Sequence, residues 1–415
     1  MIRMQIRSKD VELLCGQPDA LEALLSRKAR PCVTVPFSEE TVALLDGVSR
    51  KLLHDAAAKA YPDVATFAFF CRKAHLSQLA AKYRELSEGR IGRGLAFHIA
   101  PSNVPINFAY TLAMGLLAGN TCVVKASSKS FAQTRIVADA FCAVLAEPEM
   151  RVLRERVFVV EYGREHQEVT EAFSAICQVR VIWGGDQTVR AVREASLPPR
   201  SFDVTFADRY SLAAFSSEAV LAAGQEPGGL RRLAQAFYND TYLYDQNACS
   251  SPRLIFWLGE PAVTEAARRA FWQAVQEDIR DRYPVKSVVV VDKWTAACRT
   301  AIEVPGTRIE PGEDNRMMRV TIPELTKRLP DFRSAGGLYH EYLASSLDAL
   351  ADIVDERYQT MSYYGLNPGK LRAFVLAHGL LGIDRIVPVG RTAEMGTVWD
   401  GQDFILSLSR VVALV

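Results

Sequence analysis

The sequence has almost no net charge: 49 lysines and arginines face 48 aspartates and glutamates, leaving +1 over 415 residues. No global field would steer such a chain onto nucleic acid or an anionic lipid surface. Cysteine is sparse and scattered. The eight thiols, at positions 15, 32, 71, 122, 142, 177, 249 and 298, form no C-x-x-C pair and no metal-like cluster. In so long a chain they read as mostly buried, reduced thiols, which predicts a cytoplasmic protein without a metal site. A membrane span is lacking too. The uncharged stretch Gly94–Val124 exceeds the ~20 residues a spanning helix needs, but Pro101 and Pro105 would break one continuous helix, so it reads as several short buried elements. The opening MIRMQIRSKDVELL has no apolar core of signal-peptide length. The signatures G-x-x-x-x-G-K-[ST], H-E-x-x-H and G-x-S-x-G are absent, and Gly92-x-Gly94-x-x-Phe97 misses the third glycine of the dinucleotide fingerprint.

What is present is an ordinary globular composition, 49% apolar and 23% charged. At ~150 residues per domain the length predicts two or three domains. Apolar positions recur at helical spacing over 39–54 and again over 66–86. Leu95–Ala100 then reads as a buried strand, with Pro105 opening a helix to about Ala118. Thr121–Lys125 is the next strand, and the unit has the size of a βαβ crossover. The alternation continues through a helix near Phe131–Leu145, strand Val157–Glu161, helix Arg164–Phe173, strand Val179–Trp183 and a helix from about Gln187. Such alternation predicts an α/β chain with a doubly wound parallel sheet. After Pro198-Pro199 come apolar runs at Phe202–Ala207 and Leu212–Phe215. A second α/β domain follows: helix Leu230–Asn239, strand Leu254–Leu258, helix Ala262–Arg282, strand Ser287–Val291. Strand-like runs recur at Ile386–Val389 and Phe404–Leu408. The expected division is 1–216, 217–390 and a returning segment 391–415.

Four loops carry candidate chemistry. The densest is Tyr238-Asn-Asp-Thr-Tyr-Leu-Tyr-Asp-Gln-Asn-Ala-Cys249-Ser-Ser-Pro252, running into an apolar strand. Small neighbours admit an acyl group to Cys249, and backbone N–H groups of such a turn can face an oxyanion. The alternative is one more buried thiol, the ordinary fate of cysteine. In Ala100-Pro-Ser-Asn103-Val-Pro105 a carboxamide fixed between prolines would be a rigid donor at the carboxyl end of a strand. Asn103 as a plain helix cap is the competing role. Lys125, Ser128 and Lys129 end the next strand and could hold ribose and phosphate, against a solvated strand end. Trp183-Gly184-Gly185-Asp186 would let a ligand approach a helix start, against Asp186 as a cap. The histidines fall into no pattern.

Taken in order, A-P-S-N103-V-P, G-N-T-C-V-V-K125-A-S-S-K, W-G-G-D186 and D-Q-N-A-C249-S-S-P resemble the acyl-CoA reductase family, a branch of the aldehyde dehydrogenase superfamily. The resemblance runs from about Gly92 to Leu408, taking in Gln359-Thr360-Met361-Ser362, Pro388-Val-Gly390 and Trp399-Asp-Gly401. It implies an aldehyde-dehydrogenase-like fold, with a cofactor domain in 1–216 and the catalytic domain in 217–390. It implies Cys249 as the nucleophile that takes the acyl group and Asn103 as the oxyanion donor. Lys125 would bind the adenosine ribose, and Trp183-Gly184-Gly185-Asp186 would lie beneath the cofactor pyrophosphate. Hydrolytic members have a glutamate base; the corresponding stretch, Thr205-Phe-Ala-Asp-Arg-Tyr-Ser211, offers Phe206. Without a base an acyl-cysteine persists until hydride or a thiol arrives. Ser128 and Lys129, where NAD-preferring members have a glutamate, favour a 2′-phosphate and hence NADPH. The expectation is an NADPH-dependent acyl-CoA reductase forming an aldehyde, cytoplasmic and a homo-oligomer, supplied with CoA esters or by an acyl-transferring synthetase subunit. A cysteine acyltransferase without nicotinamide and a non-catalytic acyl-carrier subunit are the alternatives.

Overall fold

The computed structural model describes residues 11–414, so most of the opening segment read for a leader lies outside the described residues. They form two units, one made of the chain up to Ala207 plus the stretch from Gly396, the other Asp208–Met395. No helix among the described residues is long and apolar enough to cross a membrane.

The strands of the first unit are β1 (Val11–Cys15), β2 (Arg90–Gly92), β3 (Leu95–Ile99), β4 (Thr121–Lys125), β5 (Val157–Tyr162), β6 (Val179–Trp183) and β7 (Phe202–Phe206). Six of them form one sheet in the order β1-β5-β4-β3-β6-β7. β1 is antiparallel to β5 and the other pairs are parallel. All residues of β3 and β6 are buried, His98 and Arg180 included, which is why their apolar residues do not alternate with exposed polar ones. Helix Asn107–Leu117 is buried all round. The uncharged stretch is thus a strand, a loop, a helix and a second strand. Its entry needs glycine: a Cβ on Gly92 would lie 2.2 Å from the Gly119 carbonyl oxygen. Beside it the buried Asn120 accepts from the Arg93 and Gly94 amides and donates to the carbonyls of Gly115 and Leu408, tying the returning segment to this sheet.

Two expectations change in this unit. The helical pattern over 66–86 is two helices, Pro62–Phe70 and Lys73–Tyr83. Arg72 is extended, and Asp46 from helix Glu39–His54 accepts the Lys73 amide at 2.9 Å, so the break is imposed from another element. Phe404–Leu408 is a short helix, not a strand, because Asp403 caps it by accepting the Leu406 amide at 2.9 Å.

In the second unit the strands are β8 (Tyr210–Ser216), β9 (Pro252–Leu258), β10 (Arg308–Pro311), β11 (Met318–Thr321), β12 (Leu338–Ala344), β13 (Tyr358–Tyr364) and β14 (Arg385–Pro388). They form one sheet, β10-β11-β12-β9-β8-β13-β14, antiparallel only at β10. Tyr210, Leu212, Leu254 and Phe256 fill one face; Ala213, Phe215, Ile255 and Trp257 fill the other. The valine run expected as strand Ser287–Val291 opens helix Ser287–Glu303 instead. Val288 and Val291 are exposed, while Lys293, Ala296, Ala297 and Thr300 are buried at helical spacing. Burial of that later face overrides the strand preference of the valines.

Candidate active site

In the first sheet the crossovers run outward from β3 through β4 to β5, and the other way from β6 to β7. The loops after β3 and β6 therefore flank the point where strand order reverses, the place where ligands bind open α/β sheets. Asn103 lies in the first of these loops, exposed. The following helix has Ile106 at its N-cap and no side-chain cap bond, so Asn103 is not the cap. Trp183-Gly184-Gly185-Asp186 forms the second loop. Gly185 is the N-cap of helix Asp186–Arg193, and a Cβ added there would meet no atom within 4 Å. Its backbone thus faces open space at a helix amino end, which suits a phosphate. Asp186 occupies the acidic first-turn position of that helix.

Lys125 ends β4 one strand away, its ammonium 4.8 Å from the centre of the Tyr162 ring. Burial pushes the pKa of this lysine down, against the pull of Glu161 and Glu165. Ser128 and Lys129 follow in an exposed turn, where the Lys129 amide donates to the Ser127 hydroxyl at 3.1 Å. The structure therefore brings Asn103, Lys125, Ser128, Lys129 and the Trp183–Asp186 turn to the carboxyl edge of one sheet. These residues fit a dinucleotide: an open glycine turn, a helix amino end and two lysines at and just after the end of β4. Phe206 ends β7 and is locked in a stack, its ring centre 4.0 Å from Trp183 and 4.9 Å from Phe404.

In the second unit the Cys249 loop lies at the opposite kind of edge. Cys249 precedes β9, so it sits beside the amino ends of the strands. Asp245 and Gln246 both adopt positive φ, turning the chain sharply before Cys249. Gln246 is wholly buried and holds the turn. Its amide group donates to the carbonyls of Pro252 and Leu338 and accepts from the Gly337 and Leu338 amides. Cys249 itself is half-buried. Its carbonyl accepts from the Ser211 hydroxyl at 2.7 Å, and that hydroxyl accepts the Thr360 amide at 3.2 Å. The Gln359 carboxamide donates to the Cys249 sulfur at 3.3 Å.

Two arginines share this neighbourhood. Arg253 donates to the carbonyls of Gln246 at 2.6 Å and Ser334 at 2.5 Å. Burial pushes its pKa down to about 10, and Cys249 is among the groups that pull it back. Arg385, in register with Thr360, donates to the carbonyls of Thr392 and Arg391. Burial likewise lowers it to about 10, and it too senses Cys249. The buried Asp240 accepts the Gly390 and Thr392 amides and the Thr392 hydroxyl, closing the Pro388-Val-Gly390 turn. Burial raises the Asp240 carboxyl to about 6, despite these donors.

The other cysteines divide by position. Cys15, Cys71, Cys122 and Cys177 are buried, Cys142 is half-buried, and Cys32 and Cys298 are exposed. Burial pushes Cys122 and Cys177 up to about 12. The expectation of mostly buried thiols thus holds for half of them. Sequence reasoning named Cys249 but gave no role to Ser211, Arg253, Gln359 or Arg385. Gln359 and Ser211 stood in stretches that the resemblance quoted; Arg253 and Arg385 did not.

The family described as acyl-CoA reductase (LuxC) matches residues 73–298, a stretch that contains all four candidate loops. The long-chain acyl-protein thioester reductase of Aliivibrio fischeri is 22% identical over 170 residues, 40% of this chain and 33% of that protein. The protein of the same description from Photorhabdus laumondii is 28% identical over 171 residues, 40% of this chain and 32% of the relative. The match therefore spans about a third of each relative. The 1-pyrroline-5-carboxylate dehydrogenase of Thermus thermophilus, as its R100A mutant, superposes with a TM-score of 0.63 at 13% identity, covering 98% of this chain and 90% of that one. An NAD-dependent benzaldehyde dehydrogenase from Corynebacterium glutamicum gives 0.61 at 13% identity, covering 97% and 94%. The fold is that of the aldehyde dehydrogenases.

Proposed function

The chain belongs to the acyl-CoA reductase (LuxC) family, and from that premise we propose that it reduces a fatty acyl-CoA to an aldehyde with NADPH through an acyl-Cys249 intermediate. The observation that carries the reading is the nucleophile loop: a half-buried cysteine in a braced turn, its sulfur met by a carboxamide donor. The overall change is acyl-S-CoA + NADPH + H⁺ → aldehyde + NADP⁺ + CoA. Nicotinamide, when bound, would supply the hydride. Cys249 sulfur attacks the thioester carbon, the bond to the CoA sulfur breaks, and the thiol leaves. Once the acyl carbon is reduced, the C–S bond breaks with its electron pair returning to Cys249. Asn103 and the Cys249 amide act as oxyanion donors, each worth roughly 3–4 kcal/mol in comparable sites. Lys125, Ser128 and Lys129 hold the adenosine ribose and its 2′-phosphate, and Trp183-Gly184-Gly185-Asp186 lies beneath the pyrophosphate. The free thiols suit a reducing, cytoplasmic setting. A homo-oligomer, and delivery of the acyl group by a synthetase subunit, complete the proposal.

The test follows NADPH oxidation with acyl-CoAs of graded length beside an acylated carrier protein. Saturable oxidation with aldehyde formed in equal amount is expected from the CoA esters. Acyl transfer to a thiol without any oxidation would instead favour a cysteine acyltransferase. Cofactor choice has its own check. Lys129→Glu is expected to weaken NADPH by at least tenfold while leaving NADH nearly unchanged, because a like charge repels the 2′-phosphate and not a hydroxyl (about 1.4 kcal/mol per tenfold). Calorimetric titration of both nucleotides reads it; equal losses would place Lys129 away from the ribose.

A further inference from the structure

The amino edge of the second sheet contains an irregularity that the nucleophile loop uses. β8 and β13 run in register at Tyr210 and Tyr358 and again at Leu212 and Met361. Two residues of β13, Gln359 and Thr360, therefore lie opposite one residue of β8, Ser211. An extra residue of this kind breaks the alternation of a strand and re-aims its side chains, and such bulges occur next to active sites. Its result is two consecutive residues serving one cysteine. The Thr360 amide fixes the Ser211 hydroxyl that holds the Cys249 carbonyl. The Gln359 carboxamide donates to the Cys249 sulfur, and the Thr360 hydroxyl donates to Gln359 Oε1 at 3.2 Å. That last bond sets the orientation of the carboxamide, with its NH₂ toward sulfur. Gln359 is 1% exposed, so its donor is not shared with bulk water.

We propose that Gln359 is a catalytic residue that stabilises the thiolate form of Cys249, and that being a carboxamide it does so without offering a base to water. This rests on the reading of Cys249 as the acyl acceptor. A hydrogen bond to an ionised sulfur is stronger than one to a thiol or a thioester sulfur. The donor therefore favours the states in which Cys249 holds a free electron pair: before attack on the acyl carbon, and after the C–S bond of the reduced adduct breaks. The thiol proton passes to solvent on ionisation; Gln359 neither gives nor takes one. A carboxylate at the same place would do the reverse, repelling the thiolate and accepting a proton from water. Two charged groups that sense this sulfur are Arg253, from the start of β9, and Arg385, from β14. Both are cations held by backbone carbonyls, and both favour the same ionised form.

The test needs neither acyl-CoA nor nucleotide. The full chain is alkylated with iodoacetamide across pH, and modification of the Cys249 peptide is quantified by mass spectrometry, which separates it from the exposed Cys32 and Cys298. Gln359→Leu should raise the pH midpoint of Cys249 alkylation by about one unit, a roughly tenfold loss of thiolate near neutrality. Gln359→Glu should raise it further and, given acyl-CoA without NADPH, release free acid at least tenfold faster than the parent. Thr360→Val, which leaves Gln359 in place but frees its amide to turn, should give a smaller shift in the same direction, whereas Thr360→Ser should give none. The valine variant keeps the test decisive if Gln359→Leu does not fold. An unmoved midpoint in every folded variant of Gln359 and in Thr360→Val would overturn the proposal. A shifted midpoint in a protein that reduces no acyl-CoA would uphold it while overturning the proposed reaction.

Discussion

Cys249→Ala should abolish aldehyde formation and covalent acylation together, while leaving NADPH affinity within about twofold of the parent. The backbone carbonyl of Cys249, not its sulfur, makes the bond that holds the loop: Ser211 donates to it, and Gln246 braces the turn through groups an alanine does not disturb. The substitution therefore removes the reacting atom and one acceptor of Gln359, and little of the fold. Losing the covalent route removes the whole pathway rather than one contribution to its rate. The measurement is mass spectrometry after incubation with acyl-CoA, alongside NADPH titration by calorimetry. Acylation that persists in the alanine variant and moves to another cysteine would sink the assignment. Cys298 and Cys32 are the exposed thiols to watch.

Strands buried on both faces were the most legible part of the chain. β4 and β6 lie where short, mostly apolar stretches placed them, since a stretch bounded by turn residues and too short for a buried helix leaves a strand as the reading. Where the pattern misled, a partner from elsewhere decided. The valines of 287–291 look like a strand in isolation, but the face that packs lies further on, at Lys293, Ala296, Ala297 and Thr300. Helix Lys73–Tyr83 starts where Asp46 accepts its first amide, a contact 27 residues distant that no local window contains. The same divide runs through the site. Cys249 and Asn103 were singled out because small, amide and proline neighbours constrain a loop from within. Gln359 reaches Cys249 across 110 residues and Ser211 across 38, through a bulge that exists only once β8 and β13 are paired. Arg385 joins them by its register with Thr360. Sequence spacing holds no trace of either pairing.

Given acyl-CoA without NADPH, the protein should release CoA in a burst of about one equivalent, retain the acyl group on Cys249, and form little free acid. Hydrolysis of an acyl-cysteine needs water activated by a base, an effect worth ~10²–10⁴-fold. The place that the resemblance assigns to such a base is Phe206, a side chain that takes up no proton. The ring is buried and packs against both Trp183 and Phe404, at 4.0 and 4.9 Å. Trp183 is held in turn by its indole N–H, which donates to the Thr111 hydroxyl at 3.2 Å. Deacylation by water should therefore be slower than reduction by about that same ~10²–10⁴-fold margin, and adding NADPH should discharge the stored acyl group as aldehyde. Rapid-quench measurement of CoA and free acid, followed by intact-mass analysis, distinguishes the outcomes. Steady acid production without NADPH would mean that another residue activates water, and the correspondence drawn through Phe206 would have to be abandoned. Phe206→Glu, by contrast, should cost stability, because an unpaired carboxylate in an aromatic stack carries a desolvation penalty of several kcal/mol or takes up a proton. A loss of fold in that variant, with no gain of hydrolysis, is the expected result, since the stack and the missing base are the same feature.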